Sequence, residues 1–256
     1  MKSLFPRWFA KNARLGELQA VLFDLDGTLL QVSMEAFIPA YIDGLGRHLA
    51  DLVAPQHFAA SAQKAVGSLF APRGGDRSNE DQFQAVIEAE CGLPGGAYRR
   101  RLQRFVDDGL AELAYLVRPV PSARELVLGC HAAGFKLALA TNPVFPEPVI
   151  RARMAWAGLA DLPFAAISSY ETSRHCKPDP CYYRALAQTL GVDPAACLMV
   201  GNDSWFDMGA REAGMLTYLV DTYLVERRPA RWAPDFRGDH GQLRRFLHPL
   251  RPGRRN

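Results

Sequence analysis

The stretch Val21-Leu22-Phe23-Asp24-Leu25-Asp26-Gly27-Thr28-Leu29 decides the fold. Three apolar residues in succession ahead of Asp24 read as a strand covered on both faces, the kind found inside a parallel sheet. Its carboxyl end then carries two acids, and open α/β sheets bind ligands outside the carboxyl ends of their strands. Gly27 allows the backbone to turn sharply there. Taken alone, the segment reads equally well as a solvated acidic turn, so partners elsewhere in the chain decide its meaning.

Such partners stand in the second half of the sequence. From Pro119 onward, a helix over 121–133 ends at Gly134, and the apolar run 135–140 stops at Thr141-Asn142-Pro143. A helix over 147–156 stops at Gly158, and 164–167 supplies another short strand. A helix over 180–190 precedes the strand 197–200, which ends at Gly201-Asn202-Asp203; a short helix through Gly209 and Glu212 leads to a last strand, 216–220. Strands alternating with helices imply right-handed crossovers. The expected fold is therefore α/β, a doubly wound parallel sheet of about five strands, Rossmann-like in plan.

Between the first strand and this repeating half lies a different pattern. Residues 31–118 contain little that reads as strand, and their apolar residues recur at helical spacing: Phe37, Tyr41, Leu45 and Leu49; Phe58, Ala62, Ala65 and Leu69; Phe83, Val86 and Ile87; Leu102, Phe105 and Leu110. Breaks at Ala54-Pro55, at Pro72-Arg73-Gly74-Gly75 and at 92–96 divide the insert into four helices. The expected organisation is an α/β core made of 1–32 and 119–247, a helical insert at 33–118, and a basic tail at 248–256. Arg73, Asp76 and Arg77 lie in a Gly-rich loop of that insert and are read as solvated.

The composition is that of a globular protein: 256 residues, 48% hydrophobic and 22% charged, enough to bury a large core. Five cysteines with no CxxC pair argue against a disulfide framework and fit a reducing cytoplasm. The N-terminal segment with Phe5, Trp8 and Phe9 is interrupted by Pro6, Arg7 and Lys11 before any signal-like apolar core forms, and its aromatics are read as packing on the domain. No apolar run reaches the roughly 18 residues a bilayer requires, so no membrane partner is expected. The net charge of +3 belongs to the end of the chain, where 227–256 hold nine arginines and two aspartates. That end is read as a solvated charged terminus, and nucleic acid is not an expected partner.

In a doubly wound sheet, Asp24, Asp26, Thr141, Lys177 and the Asn202-Asp203 pair fall side by side, with Asp207 four residues past Asp203. Asp24 and Asp203 offer hard oxygens suited to Mg²⁺, an ion that usually takes one or two carboxylates plus a substrate phosphate. A carboxylate also serves as a covalent nucleophile towards phosphorus. The Thr141 hydroxyl and the Lys177 ammonium supply a hydrogen bond and a compact charge to a phosphoryl oxygen. His175, Cys176 and Cys181 flank Lys177 at a spacing that fits no zinc pattern and are read as packing. Trp156 and Trp205 are read the same way.

With these motifs in order, DLDGTL at 24–29, TNP at 141–143, CKPDP at 176–180 and GNDSWFD at 201–207, the chain resembles the haloacid dehalogenase superfamily in its Mg²⁺-dependent phosphotransferase branch. The resemblance implies that Asp24 is the nucleophile that becomes an aspartyl-phosphate, and that Asp26 is the acid and base, its backbone carbonyl a further metal ligand. It implies phosphate-holding roles for Thr141 and Asn142, a lysine at 177 linking nucleophile and phosphate, and a metal ligand at Asp203. Asp207 and Asn202 fall in the outer shell. Many relatives read Gly-Asp where this chain reads Gly201-Asn202-Asp203, so the metal contact is assigned to Asp203. The helical insert resembles the superfamily's cap, with hinges near Ser33 and Pro119. The implied activity is a cytoplasmic phosphatase for a small phosphorylated metabolite. The alternatives are a phosphomutase using the same residues, and a non-catalytic binding protein on the same fold.

Overall fold

The computed structural model describes residues 14–71 and 76–253. The segment with Phe5, Trp8 and Phe9, Arg73, and the end of the basic tail lie outside the described residues.

At the centre of the sheet, β1 (Ala20–Phe23) has every residue at 0% exposure. Burying side chains such as Val21, Leu22 and Phe23 contributes about 1.5–3 kcal/mol each, which is why this short strand can anchor the fold. After β1 come β2 (Leu30–Gln31), the helices α1 (Met34–Leu49), α2 (Pro55–Phe70), α3 (Asn79–Cys91) and α4 (Ala97–Asp108), a 3-10 helix at Leu110–Leu116, and β3 (Arg118–Pro119). The remainder runs α5 (Ala123–Ala132), β4 (Lys136–Leu139), α6 (Glu147–Trp156), β5 (Ala166–Ile167), α7 (Pro180–Thr189), β6 (Cys197–Gly201), β7 (Leu216–Val220), β8 (Phe236–Gly238) and α8 (His240–Leu247).

The sheet has the order β5-β4-β1-β6-β7-β8, and every pair in it is parallel. Phe23 stands opposite Leu139 on one side and Val200 on the other, so the residues following β1, β4 and β6 emerge together at one edge. Strand order reverses at β1, and such a reversal opens a crevice at the carboxyl edge. Alternation along the strands supplies both faces. Val21 and Phe23 point into a cluster with Leu126, Val127 and Leu243, while Ala20 and Leu22 face Tyr182, Tyr183 and Leu186 of α7.

The sheet exceeds the expected count by one strand. β8 is a three-residue edge strand with Arg237 at its middle, set in the arginine-rich stretch where no apolar run announces it. Along the charged end, Arg228, Arg231, Arg237 and Arg244 keep exposed side chains, while the backbone is tied down beyond them. Gly253 donates its N–H to Leu18 O at 2.7 Å, so the chain returns to the approach of β1.

The two ends of the helical insert meet in an antiparallel ribbon, Leu30 opposite Pro119 and Gln31 opposite Arg118. Beyond the ribbon the insert packs on the core. Phe37 and Tyr41 of α1 meet the Phe145 ring edge-on at 5.8 and 5.2 Å, and one apolar cluster runs through both parts. The start of α3 docks as well: Asn79 N–H donates to Ser173 O at 2.7 Å and Glu80 N–H to Tyr170 O at 2.8 Å. A reciprocal capping box between Ser78 and Asp81 fixes that helix start.

Candidate active site

The carboxyl edge of the sheet opens into a cleft of about 640 Å³ between the core and the helical insert. Asp24 enters it directly from β1, its own N–H donating to Val200 O of β6 at 2.8 Å. Lys177 lies on the loop before α7 and is 1% exposed; its Nζ donates to Asp24 Oδ1 at 2.8 Å and to Asp207 Oδ1 at 2.6 Å. Asp207 is held from its other side by the Asp203 N–H, at 2.8 Å to Oδ2. A Cβ on Gly201 would collide with the Asp207 carboxylate, so the glycine that ends β6 makes room for this array.

Two carboxylates thus share one buried ammonium. Burial by itself drives the Lys177 ammonium down, but Asp207 and Asp24 outweigh it and hold its pKa well above the ordinary lysine range. Burial raises Asp24, with Lys177 opposing. Asp207 is pushed up to about 7 by burial and by the Asp24 charge, against the pull of Lys177. The lysine therefore stays charged, and the surplus negative charge is shared by the two acids.

Asp203 begins the turn after β6. Its Oδ1 accepts the N–H groups of Trp205 and Phe206, both at 2.8 Å, which aims the carboxylate into the cleft. Its Oδ2 accepts Arg227 Nε at 2.7 Å. Asn202 turns the other way: its Nδ2 donates to Tyr223 O at 2.6 Å, and its Oδ1 lies 3.5 Å from Thr28 Oγ1. Gly27 has φ +80°, and a Cβ there would strike the Asn202 carboxamide, so this glycine answers both a backbone and a packing demand. On the β4 side, the Thr141 carbonyl is fixed by Ser168 Oγ at 2.6 Å and Tyr182 OH at 2.8 Å, and Asn142 Oδ1 accepts the Lys177 N–H at 3.2 Å. Asp24, Asp26, Thr141, Asn142, Lys177, Asn202, Asp203 and Asp207 all line the one cleft.

The donor set suits a hard divalent cation. Asp24 and Asp203 present carboxylate oxygens to one cleft, and a cationic group already stands on Asp203 Oδ2. Both Asp207 oxygens are engaged by Lys177 and by the Asp203 N–H, which suits it to orienting others.

Residues 18–214 match the model of the haloacid dehalogenase-like hydrolases. This chain belongs to that family. It is 33% identical over 219 residues to a phosphoglycolate phosphatase of Rhodospirillum rubrum, covering 82% of each chain. It is also 28% identical over 232 residues to an N-acetylmuramic acid 6-phosphate phosphatase of Pseudomonas aeruginosa, covering 87% of this chain and 91% of that one. Among solved structures, the HAD phosphatase from Thermococcus onnurineus superposes with a TM-score of 0.57 at 21% identity, covering 91% of this chain and all of that one; this likeness concerns the fold.

Within this haloacid dehalogenase-like hydrolase, two arginines occupy places that sequence reading did not assign. Arg153 of α6 is 0% exposed, and its Nη1 donates to both oxygens of Asp26 at 2.9 Å. Its guanidinium lies between the rings of Phe37 and Phe145, 5.3 and 4.8 Å from their centroids. Its Nε and Nη2 find no hydrogen-bond partner among the described residues. Burial raises the Asp26 carboxyl, and Arg153 opposes the rise. The signal was present: Val149, Ile150, Arg153 and Met154 share the buried face of α6, and a charge on an apolar face calls for a counter-ion. Arg153→Met is expected to lower unfolding free energy by about 2–3 kcal/mol, since it strands a partly buried carboxylate. Urea titration followed by circular dichroism measures this, and an unchanged midpoint would mean that Asp26 is neutralised elsewhere.

Arg227, counted with the basic tail, stands on Asp203 instead. The packing reading of the residues beside Lys177 holds for Cys176, which is buried, but Cys181 is exposed. His175, Asp179 and Cys181 come within 4.8 Å of one another on the outer side of this loop. Trp205 meets Trp232 at 5.1 Å, and Asp76 pairs with Arg174 at 2.8 Å. Among the described residues, no helix is long and apolar enough to cross a membrane.

Proposed function

We propose that this hydrolase is a Mg²⁺-dependent phosphatase that cleaves a small phosphorylated metabolite through an aspartyl-phosphate on Asp24. The observation that carries the reading is the buried Asp24–Lys177–Asp207 array beside Asp203, at the carboxyl edge of the sheet. The names of the two relatives point the same way, since each is a phosphatase of a small phosphorylated compound. A cytoplasmic setting accords with the five free cysteines, three of them buried.

Mg²⁺ held by Asp24, Asp203 and the Asp26 carbonyl would neutralise the acids and draw charge from the phosphoryl oxygens. Thr141 and Lys177 grip the phosphoryl group, and Asn142 keeps the Lys177 loop in place through its backbone N–H. The Asp24 carboxylate attacks phosphorus; the new oxygen–phosphorus bond forms as the ester bond breaks, and Asp26 gives its proton to the leaving oxygen. In the second half, Asp26 takes a proton from water, the water oxygen bonds to phosphorus, and the Asp24 oxygen leaves as a carboxylate. The helical insert, residues 33–118, acts as a cap that keeps bulk water out during the first half.

Phosphate release from an aryl phosphate, with Mg²⁺ and after chelation, tests this reading. Chelation is expected to lower turnover by at least about 100-fold, and re-added Mg²⁺ to restore it. Equal turnover in both conditions would overturn the reading.

A further inference from the structure

The segment 221–228 leaves β7 and crosses over the turn that carries Asp203. Four hydrogen bonds clamp it there: Asn202 Nδ2 to Tyr223 O at 2.6 Å, Val225 N to Asn202 O at 3.0 Å, Ser204 N to Val225 O at 3.0 Å, and Arg227 N to Ser204 Oγ at 2.8 Å. Backbone contacts, not the reach of a long side chain, therefore bring Arg227 to the site. Its guanidinium lies over the Phe206 ring, 4.5 Å from the centroid, and its side chain keeps 46% exposure towards the cleft. Stacking on a ring leaves the planar edge of an arginine available to an anion.

Asp203 has one oxygen to spare. Oδ1 is committed to two backbone N–H groups, and Oδ2 meets Arg227 Nε at 2.7 Å. A divalent cation on Oδ2 and a guanidinium on the same atom repel one another, which favours release of the arginine when the cation binds. Charge in the cleft says what the displaced arginine would then face. Of the described residues lining it, Lys177 and Arg227 are the basic ones, and Lys177 is already shared by Asp24 and Asp207. Once free of Asp203, Arg227 is a cation turned towards the cleft without an acid of its own.

Resting on the phosphatase reading, we propose that Arg227 is a specificity residue: it neutralises Asp203 until a divalent cation takes that carboxylate, and then binds a carboxylate on the phosphorylated substrate. The phosphoryl group belongs to Thr141, Asn142 and Lys177, so the group for Arg227 is a second anion. Its planar fork matches the two oxygens of a carboxylate. On this assignment, the substrates are short phosphate esters of carboxylic acids.

Two measurements on Arg227→Met and Arg227→Lys decide this. Calorimetric titration of the substrate-free protein with Mg²⁺ is expected to show Arg227→Met binding about 2- to 5-fold tighter than wild type, because no internal cation has to be displaced. Arg227→Lys should lie between them. In steady-state kinetics, Arg227→Met is expected to raise KM for 2-phosphoglycolate about 10- to 100-fold with kcat changed less than about threefold. KM for ethyl phosphate, which has a methyl group in place of the carboxylate, should stay near the wild-type value, and Arg227→Lys should recover part of the loss on 2-phosphoglycolate. Equal or weaker Mg²⁺ binding by Arg227→Met overturns the counter-ion role, and an equal rise in KM for both esters overturns the carboxylate role. If wild type releases phosphate from neither ester, the phosphatase reading falls and the carboxylate role with it, while the calorimetry still decides the counter-ion role.

Discussion

Replacing Lys177 by methionine is expected to destabilise the protein by about 3–5 kcal/mol and to lower turnover at least about 100-fold. Lys177 is 1% exposed and is the ammonium that Asp24 and Asp207 share. Without it, two carboxylates face each other in a low-dielectric pocket, and one must take up a proton or the array must open. Methionine fills much the same volume, so the loss reports charge more than packing. Urea unfolding in the presence of chelator measures the stability term, and the double variant Lys177→Met/Asp207→Asn separates the two effects. The double variant should regain much of the stability and none of the turnover. A single variant as stable as wild type would mean that the array holds fewer charges than its geometry requires.

Asp24→Asn is expected to have the opposite balance, losing turnover by at least about 1,000-fold while melting at or above the wild-type temperature. An amide cannot form the acyl-phosphate, so the covalent route is closed. Stability should not suffer, because burial already raises the Asp24 carboxyl and Lys177 keeps Asp207 as a partner. The neutral isostere removes surplus negative charge from a site that has too much of it in the absence of a cation. Phosphate release and differential scanning calorimetry on one preparation test both halves. Turnover above about 1% of wild type would take the nucleophile away from Asp24.

How much of this was legible in the sequence depended on whether the cause was local. The run ahead of Asp24 announced β1, because a strand buried on both faces must be apolar at every position. The acids, Thr141 and Lys177 were found because each closes a strand or opens a helix. β8 was missed because a three-residue edge strand with Arg237 at its centre borrows its order from β7. Arg227 was counted as tail charge for the same kind of reason: its partner Asp203 is 24 residues away, and only the crossing of 221–228 brings them together. Arg153 stood in a plain helical pattern, and its acid lies 127 residues earlier, at Asp26. Charge partners across such distances leave no periodic trace. The exposed arginines of the charged end were legible in composition, but the backbone bond from Gly253 to Leu18 was not, because it depends on the path of the chain.

The central place of β1 has a consequence for how the chain matures. β1 is synthesised before both of its neighbours in the sheet, β4 at Lys136–Leu139 and β6 at Cys197–Gly201. A nascent chain must therefore carry an unpaired apolar strand until the whole helical insert and then β4 have been made, and non-local pairings of this kind slow folding. Asp24 waits longer still, because Lys177 and Asp207 both follow β4 in the chain. The helices of the insert, with their local contacts, emerge in between, so the growing chain presents helices beside a strand without neighbours. During biosynthesis, that unpaired apolar strand is open to aggregation.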